Sequence, residues 1–495
     1  MEFSKRQEDI FKIWKEQDVN LVINAVAGSG KTTTLLELIK RSKHKVLYLA
    51  FNRTVKLETQ EKIDKMGLKQ GKALTLHSLG LRAINKAFNH KVVVNKGKNF
   101  ELIKKFQNKR AISKRLKWMN WDDKLRLSYN MMDMNDVSRL FMTDDFNEIL
   151  ECCDTIGKTI LLDKYTEEYW EILKELRRLS YKGDKVEIDF TDMLYLPAVE
   201  KLPIPIDPIY LMIDEAQDLS VCQHALIDQL LSQGTVEKWI AVGDRNQAIY
   251  GFSGASNNSL KLFTDRPNTV EAPLDICYRC DTEIVDVANE VYDVMQAHST
   301  KEGIVDEVTN ISDIKEGSMV ICRNTNPIIA LYFALLSERK ACTIKGEDIL
   351  SSINKFLKPY AGLMIQSARD KMASKMMELS TDTTERGQMN YYFFKQNYEN
   401  FERLVIGLNI LPKTLIKFML EDIKKIFEKK DDKDVITLCT IHKSKGLEAD
   451  VVYILQENLI PSKFARSPEQ LQQEENLRYV ARTRAKHELY FLNPV

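Results

Sequence analysis

Hydrophobic positions along the chain follow two alternating patterns. Short apolar runs end in polar residues, and segments with helical spacing follow them. The stretch Leu21–Leu36, LVINAVAGSGKTTTLL, sets the type: an apolar run, a small-residue loop, then an apolar-periodic segment. That order predicts a buried strand, a loop and the first turns of a helix. Upstream, residues 3–16 predict a helix with Phe3, Ile10, Phe11 and Trp14 inward and Ser4 as its cap. Further strands are expected over Lys45–Phe51, Leu74–Leu79, Ile209–Asp218, Trp239–Val242, Met319–Asn324, Val435–Leu438, Val451–Leu455 and Glu488–Leu492. Two stretches break the alternation and read as helical and charged, one from Ile84 to Lys182 and one from Asp348 to Asp434. The chain therefore reads as two α/β cores, each interrupted by a mainly helical insertion. The expected boundaries are 1–83, 184 as the end of the first insertion (84–184), 185–268 for the rest of the first core, 269–347, 348–434 for the second insertion, and 435–495.

The loop after the first strand carries the clearest chemistry. Ala25-x-x-Gly28-x-Gly30-Lys31-Thr32 has the glycines that let successive N–H groups turn toward phosphate oxygens. The helix that follows offers its positive end to the same anion. Ala27, Gly28, Ser29, Gly30, Lys31, Thr32 and Thr33 are the expected phosphate cradle, with Lys31 reaching the outer phosphates and the Thr32 hydroxyl on Mg²⁺. Ala25 stands where this pattern usually has its first glycine. The strand IYLMIDEAQD ends in Asp214 and Glu215, suited to organising Mg²⁺ partly through water and to activating the attacking water. Gln217 and Gln247 are candidate sensors of the γ-phosphate, and Tyr250 and Phe252 add aromatic faces just beyond. Gln7 carries an amide able to read an adenine edge.

Length and composition narrow the class. At 495 residues the chain exceeds one ordinary core. The net charge of +1 neither indicates nor excludes a nucleic-acid partner, so only local patches bear on one. Such a patch stands between Lys104 and Trp121, where lysines and arginines interleave with Phe106, Trp118 and Trp121. Phosphate neutralisation with base stacking and a plain solvated helix face explain it equally well. No apolar run approaches a membrane span, the N-terminus has charges where a signal peptide needs an apolar core, and the eight cysteines are scattered. These features predict a reduced, intracellular protein, cytoplasmic or nucleoid-associated. Cys277 and Cys280 have CxxC spacing but no second pair, which does not make a zinc site.

Taken together, the ordered motifs resemble superfamily 1 helicases of the UvrD/Rep/PcrA type, and more loosely the F-box DNA helicase branch. They are Gln7, AVAGSGKT at 25–32, AFNR at 50–53, TLHSL at 75–79, IDEAQD at 213–218, VGDRNQAIYGFSGA at 242–255, CYR at 277–279, TIHKSKGLE at 440–448 and LRYVARTRA at 477–485. The resemblance implies two RecA-like parallel-sheet motor domains using ATP and Mg²⁺. It implies that Gln7 reads adenine, Tyr278 stacks on it, Glu448 sits near the ribose, and Arg279 and Arg484 contact the γ-phosphate. Phe51, Asn52, His77, Tyr250, Phe252, Asn324 and His442 would line the single-strand path. It implies 3′ to 5′ movement on single-stranded DNA, duplex junctions as substrates, and replication, repair or recombination proteins as partners. Three other activities fit the same motifs: a translocase that mainly strips bound proteins, a non-processive nucleotide-dependent switch, and an RNA helicase. Ser253 stands where UvrD-like chains usually carry an arginine, and the second insertion is short for that family.

Overall fold

The computed structural model describes the chain except residues 1, 120, 157, 159, 161–164, 182–186, 252–253, 256–257, 346–352, 382–384, 428–433 and 494–495. Phe252 and Ser253 therefore lie outside the described residues. Two compact units divide the chain, residues 1–276 with 465–476 and residues 277–464 with 477–495.

In the first unit the apolar runs form β1 (Asn20–Ala25), β2 (Val46–Ala50), β3 (Gly71–Thr75), β4 (Tyr210–Ile213), β5 (Lys238–Gly243) and β6 (Thr269–Leu274). They pair in the order β3-β2-β4-β5-β1-β6, all parallel. β2 and β5 are buried at every position, as parallel strands covered on both faces require. Alternate side chains sort to the two faces. Leu21, Ile23, Val46 and Tyr48 meet α1 (Lys5–Glu16), α2 (Lys31–Arg41) and α3 (Arg53–Lys65). Val22, Leu47 and Leu49 meet α4 (Leu76–Ala87), α10 (Asp192–Val199), α11 (Val221–Leu231) and α12 (Ser259–Thr264) on the other face. Helix α1 starts as the sequence predicts, in a capping box in which Ser4 and Gln7 bond each other's backbone N–H.

Between α4 and α10 stands a helical insertion built of α5 (Lys98–Asn108), α6 (Arg110–Leu116), α7 (Trp121–Phe141), α8 (Phe146–Thr155) and α9 (Thr166–Ser180). It has its own apolar core around Phe106, Met131, Met134 and Trp170. Its base is polar and buried. Arg139 donates to Asp189 (2.7 Å) and Asp192 (2.8 Å), and Lys98 donates to Asp192 (2.7 Å). Despite burial, these cations hold the Asp192 carboxyl below the ordinary carboxylate range. Removing one partner would strand a buried charge, so this network fixes the insertion to the core. Gly80 allows the core helices beneath it to touch: a Cβ there would stand 1.7 Å from the Met193 carbonyl oxygen.

The second unit repeats the sheet: β7 (Ile304–Val308), β8 (Met319–Cys322), β9 (Cys342–Lys345), β10 (Ile436–Thr440), β11 (Ala449–Leu455) and β12 (Ala485–Leu492). Their order is β7-β12-β11-β8-β10-β9, again all parallel. Helices α13 (Thr282–Asn289), α14 (Thr325–Ser337), α15 (Ile365–Ser380), α16 (Glu385–Gly407) and α17 (Ile416–Phe427) stand in this unit, and α18 (Pro468–Arg482) has residues 468–476 in the first unit and 477–482 in the second. Here the insertion shares the sheet's core: Val320 and Leu438 belong to one cluster with Met372, Phe401 and Met419.

Three expectations change. His77 and Ser78 do not end a strand, because Thr75 caps α4 in a capping box with Ser78 and the chain turns helical at Leu76. Thr269–Leu274, expected in the second core, pairs with β1 along its whole length in the first sheet. The last helix ends at Arg482 rather than Lys486; Ala485 and Lys486 already belong to β12, which begins earlier than the expected Glu488.

Candidate functional site

The phosphate-loop residues sit at the carboxyl end of β1, the edge where ligands gather in open α/β sheets. Gly28 and Gly30 have φ of +68° and +80°, conformations that disfavour a side chain. Gly30 is the N-cap of α2 and offers no side-chain cap, which leaves the first N–H groups of that helix for an anion. Ala27 is buried, and Gly28, Lys31, Thr32 and Thr33 are partly exposed. Ser29 is buried, and among the described residues its Oγ has no hydrogen-bond partner. A buried hydroxyl left unpaired is costly unless a ligand oxygen meets it, so the loop fits a phosphate group. Gln7 is buried against this loop. Its Oε1 accepts from the Ser4 N–H (3.0 Å), and its Nε2 donates to Thr34 Oγ1 (3.0 Å), which donates to the Gly30 carbonyl (3.0 Å). The Oε1 end of the Gln7 amide thus closes the cap of α1, and the Nε2 end ties α1 to the first turn of α2.

The acidic pair stands at the carboxyl end of β4. Asp214 is buried, and the Tyr48 hydroxyl donates to it. Burial, reinforced by the neighbouring Glu215, pushes the Asp214 carboxyl up to about 6, while Tyr48 and Lys31 oppose the rise. A buried carboxylate beside a second carboxylate offers the oxygen donors that a hard divalent cation takes. Glu215 follows at φ +52°, a strained turn for a non-glycine residue. Gln217 holds it: Gln217 Nε2 donates to Glu215 Oε2 (2.5 Å) and Oε1 accepts from the Asp244 N–H (3.1 Å). That clamp requires Gly243, where a Cβ would stand 2.3 Å from Gln217 Oε1. Gln247 Nε2 donates to Asp244 Oδ2 (2.7 Å). Burial raises the Asp244 carboxyl, with Lys31 and Gln247 opposing. The first unit thus brings Lys31, Asp214, Glu215, Gln217, Asp244 and Gln247 into one electrostatic cluster. Tyr48 and Asp244 were not foreseen. Tyr48 lies inside an apolar strand and gives no sequence signal, whereas Asp244 directly follows a predicted strand end.

Beyond this cluster, Phe51 and Tyr250 stack with centroids 5.5 Å apart and planes 18° apart. Asn52 is exposed and caps α3 by accepting from the Val55 N–H (2.9 Å). His77 lies against Phe190 at 4.8 Å, and burial lowers its pKa to about 4. Phe190 is 53% exposed and was not singled out from the sequence; its signal is a phenylalanine between the two carboxylates of the Asp189–Asp192 turn.

In the second unit Tyr278 is 41% exposed and tilts against His298 at 4.6 Å. Arg279 Nε donates to Glu448 Oε2 (2.8 Å), and its Nη1 donates to the Thr483 carbonyl (3.0 Å). Burial works to raise the Glu448 carboxyl, but Arg279 and Lys486 outweigh it and leave it lowered. Arg484 is buried at 1% exposure and donates to the carbonyls of Val480 (2.9 Å) and Leu447 (3.1 Å). Burial lowers His442 to about 3, helped by Arg323, Lys445 and Lys443. Asn324 precedes α14 as its N-cap without a side-chain cap bond. Cys277 and Cys280 are free thiols, and the Cys280 N–H reaches Cys277 Sγ at 3.5 Å. Among the described residues, no three or more His, Cys, Asp and Glu side chains group as a metal site.

Comparison with known proteins decides the family. A family model described as the UvrD/REP helicase N-terminal domain matches residues 6–268, more than half of the chain. The chain belongs to the UvrD/Rep helicase family. A second model, the UvrD-like helicase C-terminal domain, matches residues 347–493. The ATP-dependent DNA helicase PcrA of Staphylococcus aureus is 26% identical over 287 residues, covering 55% of this chain and 37% of that protein. F-box DNA helicase protein 1 of Schizosaccharomyces pombe is 25% identical, covering 95% of this chain and 55% of that protein. PcrA of Bacillus subtilis is 22% identical, covering 97% of this chain and 81% of that protein. The chain thus spans little more than a third of the S. aureus relative that it matches. As a UvrD/Rep family member it has the two parallel-sheet α/β units that the motifs predict. Among the described residues, no helix is long and apolar enough to cross a membrane.

Proposed function

We propose that this UvrD/Rep family chain is an ATP-driven DNA helicase or translocase that moves 3′ to 5′ along single-stranded DNA and separates strands at duplex junctions. The observation that carries the reading is the cluster at the carboxyl ends of β1, β4 and β5: a glycine loop, Lys31, the buried Asp214 and the clamped Glu215. Thr32 and Asp214 would hold Mg²⁺, which neutralises charge on the outer phosphates when bound. Lys31 neutralises the transferring phosphoryl group, and Glu215, fixed by Gln217, orients the attacking water and accepts its proton. Gln247 reports the γ-phosphate to the loop that continues into Tyr250. Arg279 and Arg484 supply the further positive charge, Tyr278 stacks on adenine, Gln7 reads its edge and Glu448 contacts the ribose. Phe51, Asn52, His77, Tyr250, Phe252, Asn324 and His442 form the single-strand path. Replication, repair or recombination proteins are the expected partners.

The test is unwinding of duplexes carrying a 3′ or a 5′ single-stranded tail, with an RNA-tailed duplex alongside. Unwinding of the 3′-tailed DNA alone supports the reading. Equal unwinding of both tails, or preference for RNA, overturns its polarity or its substrate.

A further inference from the structure

The motor site leaves one strongly charged surface unused: the outer side of α5 and α6 in the first insertion. Between residues 98 and 118 the sequence has one carboxylate, Glu101. Two of the cations in this stretch are spent internally. Lys98 is buried on Asp192 (2.7 Å), and Arg115 pairs with Glu168 (2.5 Å). The remaining cations, at 104, 105, 109, 110, 114 and 117, are all exposed, and among the described residues none is in an ion pair. The chain as a whole has a formal charge of only +1, so this is a local excess rather than general basicity.

Exposed aromatic rings flank these charges at either end of the stretch. Trp118 is 86% exposed and Phe100 55% exposed. Each has a lysine ammonium by its ring: Lys117 lies 5.7 Å from the Trp118 centroid, and Lys104 lies 4.6 Å from that of Phe100. The same helices turn Phe106, Ile112 and Leu116 into the insertion's core, so the apolar demand of the fold is met on the other side. Nothing in that core requires an indole in water. Cations spaced along a backbone and flanked by exposed ring faces match single-stranded nucleic acid, whose phosphates take the charges and whose unpaired bases take the rings. Bases inside a duplex cannot reach a ring face in this way.

We propose that the α5–α6 face, anchored by Trp118, is a second single-stranded nucleic-acid site, separate from the path across the motor strands. It rests on the motor reading only for its purpose, to retain the strand while the motor cycles.

The experiment measures anisotropy of a labelled oligothymidine with the full chain, without nucleotide, over a range of salt. Four proteins are compared: wild type, Trp118→Ala, Trp118→Phe, and one carrying Lys109→Gln, Arg110→Gln, Lys114→Gln and Lys117→Gln together. Loss of one stacking platform should weaken binding about tenfold in Trp118→Ala, with most of it kept in Trp118→Phe. Neutralising four phosphate contacts should lower the slope of log affinity against log salt by about 3. Unchanged affinity and slope in all variants would show a solvated face and overturn the proposal. So would equal competition by polyglutamate with no effect of Trp118→Ala, which marks a general polyanion surface. ATPase is read separately: absent DNA stimulation in wild type would remove the motor reading, while the binding data would still decide this site.

Discussion

Each unit has its own sheet of six parallel strands, yet among the described residues the turns that follow corresponding strands differ. In the first, five residues, Val26 to Gly30, separate β1 from α2, two of them glycines at positive φ. In the second, Arg323 and Asn324 alone separate β8 from α14, with no glycine between. A two-residue connection cannot curl several N–H groups around one anion, so the same architecture offers an anion-binding turn after β1 and none after β8. The insertions differ as well. The first has its own core and a buried ionic base, while the second extends the core of its sheet. One can therefore be altered as a separate body and the other cannot.

The largest test of this contrast is Lys31→Ala. If the cradle is the sole source of nucleotide chemistry, ATPase falls by at least about 10²–10³-fold in a steady-state assay; near-normal turnover would place that chemistry elsewhere. Glu215→Gln sharpens the same point. It should lower kcat by about 10²–10⁴-fold while binding of a fluorescent ATP analogue stays close to wild type, because the cradle is untouched. Lost analogue binding would mean that Glu215 builds the pocket rather than acting on water.

Smaller effects compare the units mechanically. Gly80→Ala drives a methyl into the Met193 carbonyl and should cost about 1–3 kcal/mol in chemical denaturation. Gly362→Ala, which meets nothing within 4 Å, should change stability by less than about 0.5 kcal/mol. Similar costs at both positions would refute the close packing of α4 on α10. The smallest effect is in pH. Burial, with Arg266 adding to it, lowers His224 to about 3, and its ring bonds Ser259 at 2.8 Å. As pH falls below 6.5 the unfolded chain takes up a proton that the folded ring refuses. The stability is therefore full above 6.5 and drains away toward 3. His224→Asn should flatten that acid limb by up to about 1.4 kcal/mol per pH unit, followed by thermal midpoints at several pH values. An unchanged limb would mean that His224 protonates freely in the fold.

What could be read in advance follows the range of each interaction. The phosphate loop, the acidic strand end and the Ser4 cap are local, and their residue types determine them within a few positions. The Thr75–Ser78 box was equally local and redefines His77 as helical, but the apolar Leu74–Leu79 run hid it. Pairing of Thr269–Leu274 with β1 is long-range, and no local pattern distinguishes a last strand of one sheet from the first of the next. The Tyr48–Asp214 contact spans 166 positions, and the Gln217–Asp244 clamp depends on Gly243 for closeness, so neither could be seen before the fold. The resemblance implies Arg484 at the γ-phosphate; that its guanidinium also donates to the carbonyls of Val480 and Leu447 depends on the turn between α18 and β12, which the motif does not announce.

The central claim is that one loop of the first unit drives a DNA motor. Steady-state ATPase with and without single-stranded DNA, with single-stranded RNA beside it, tests this most directly. The account predicts strong stimulation by DNA, little by RNA, and none in Lys31→Ala. Hydrolysis indifferent to DNA would contradict it.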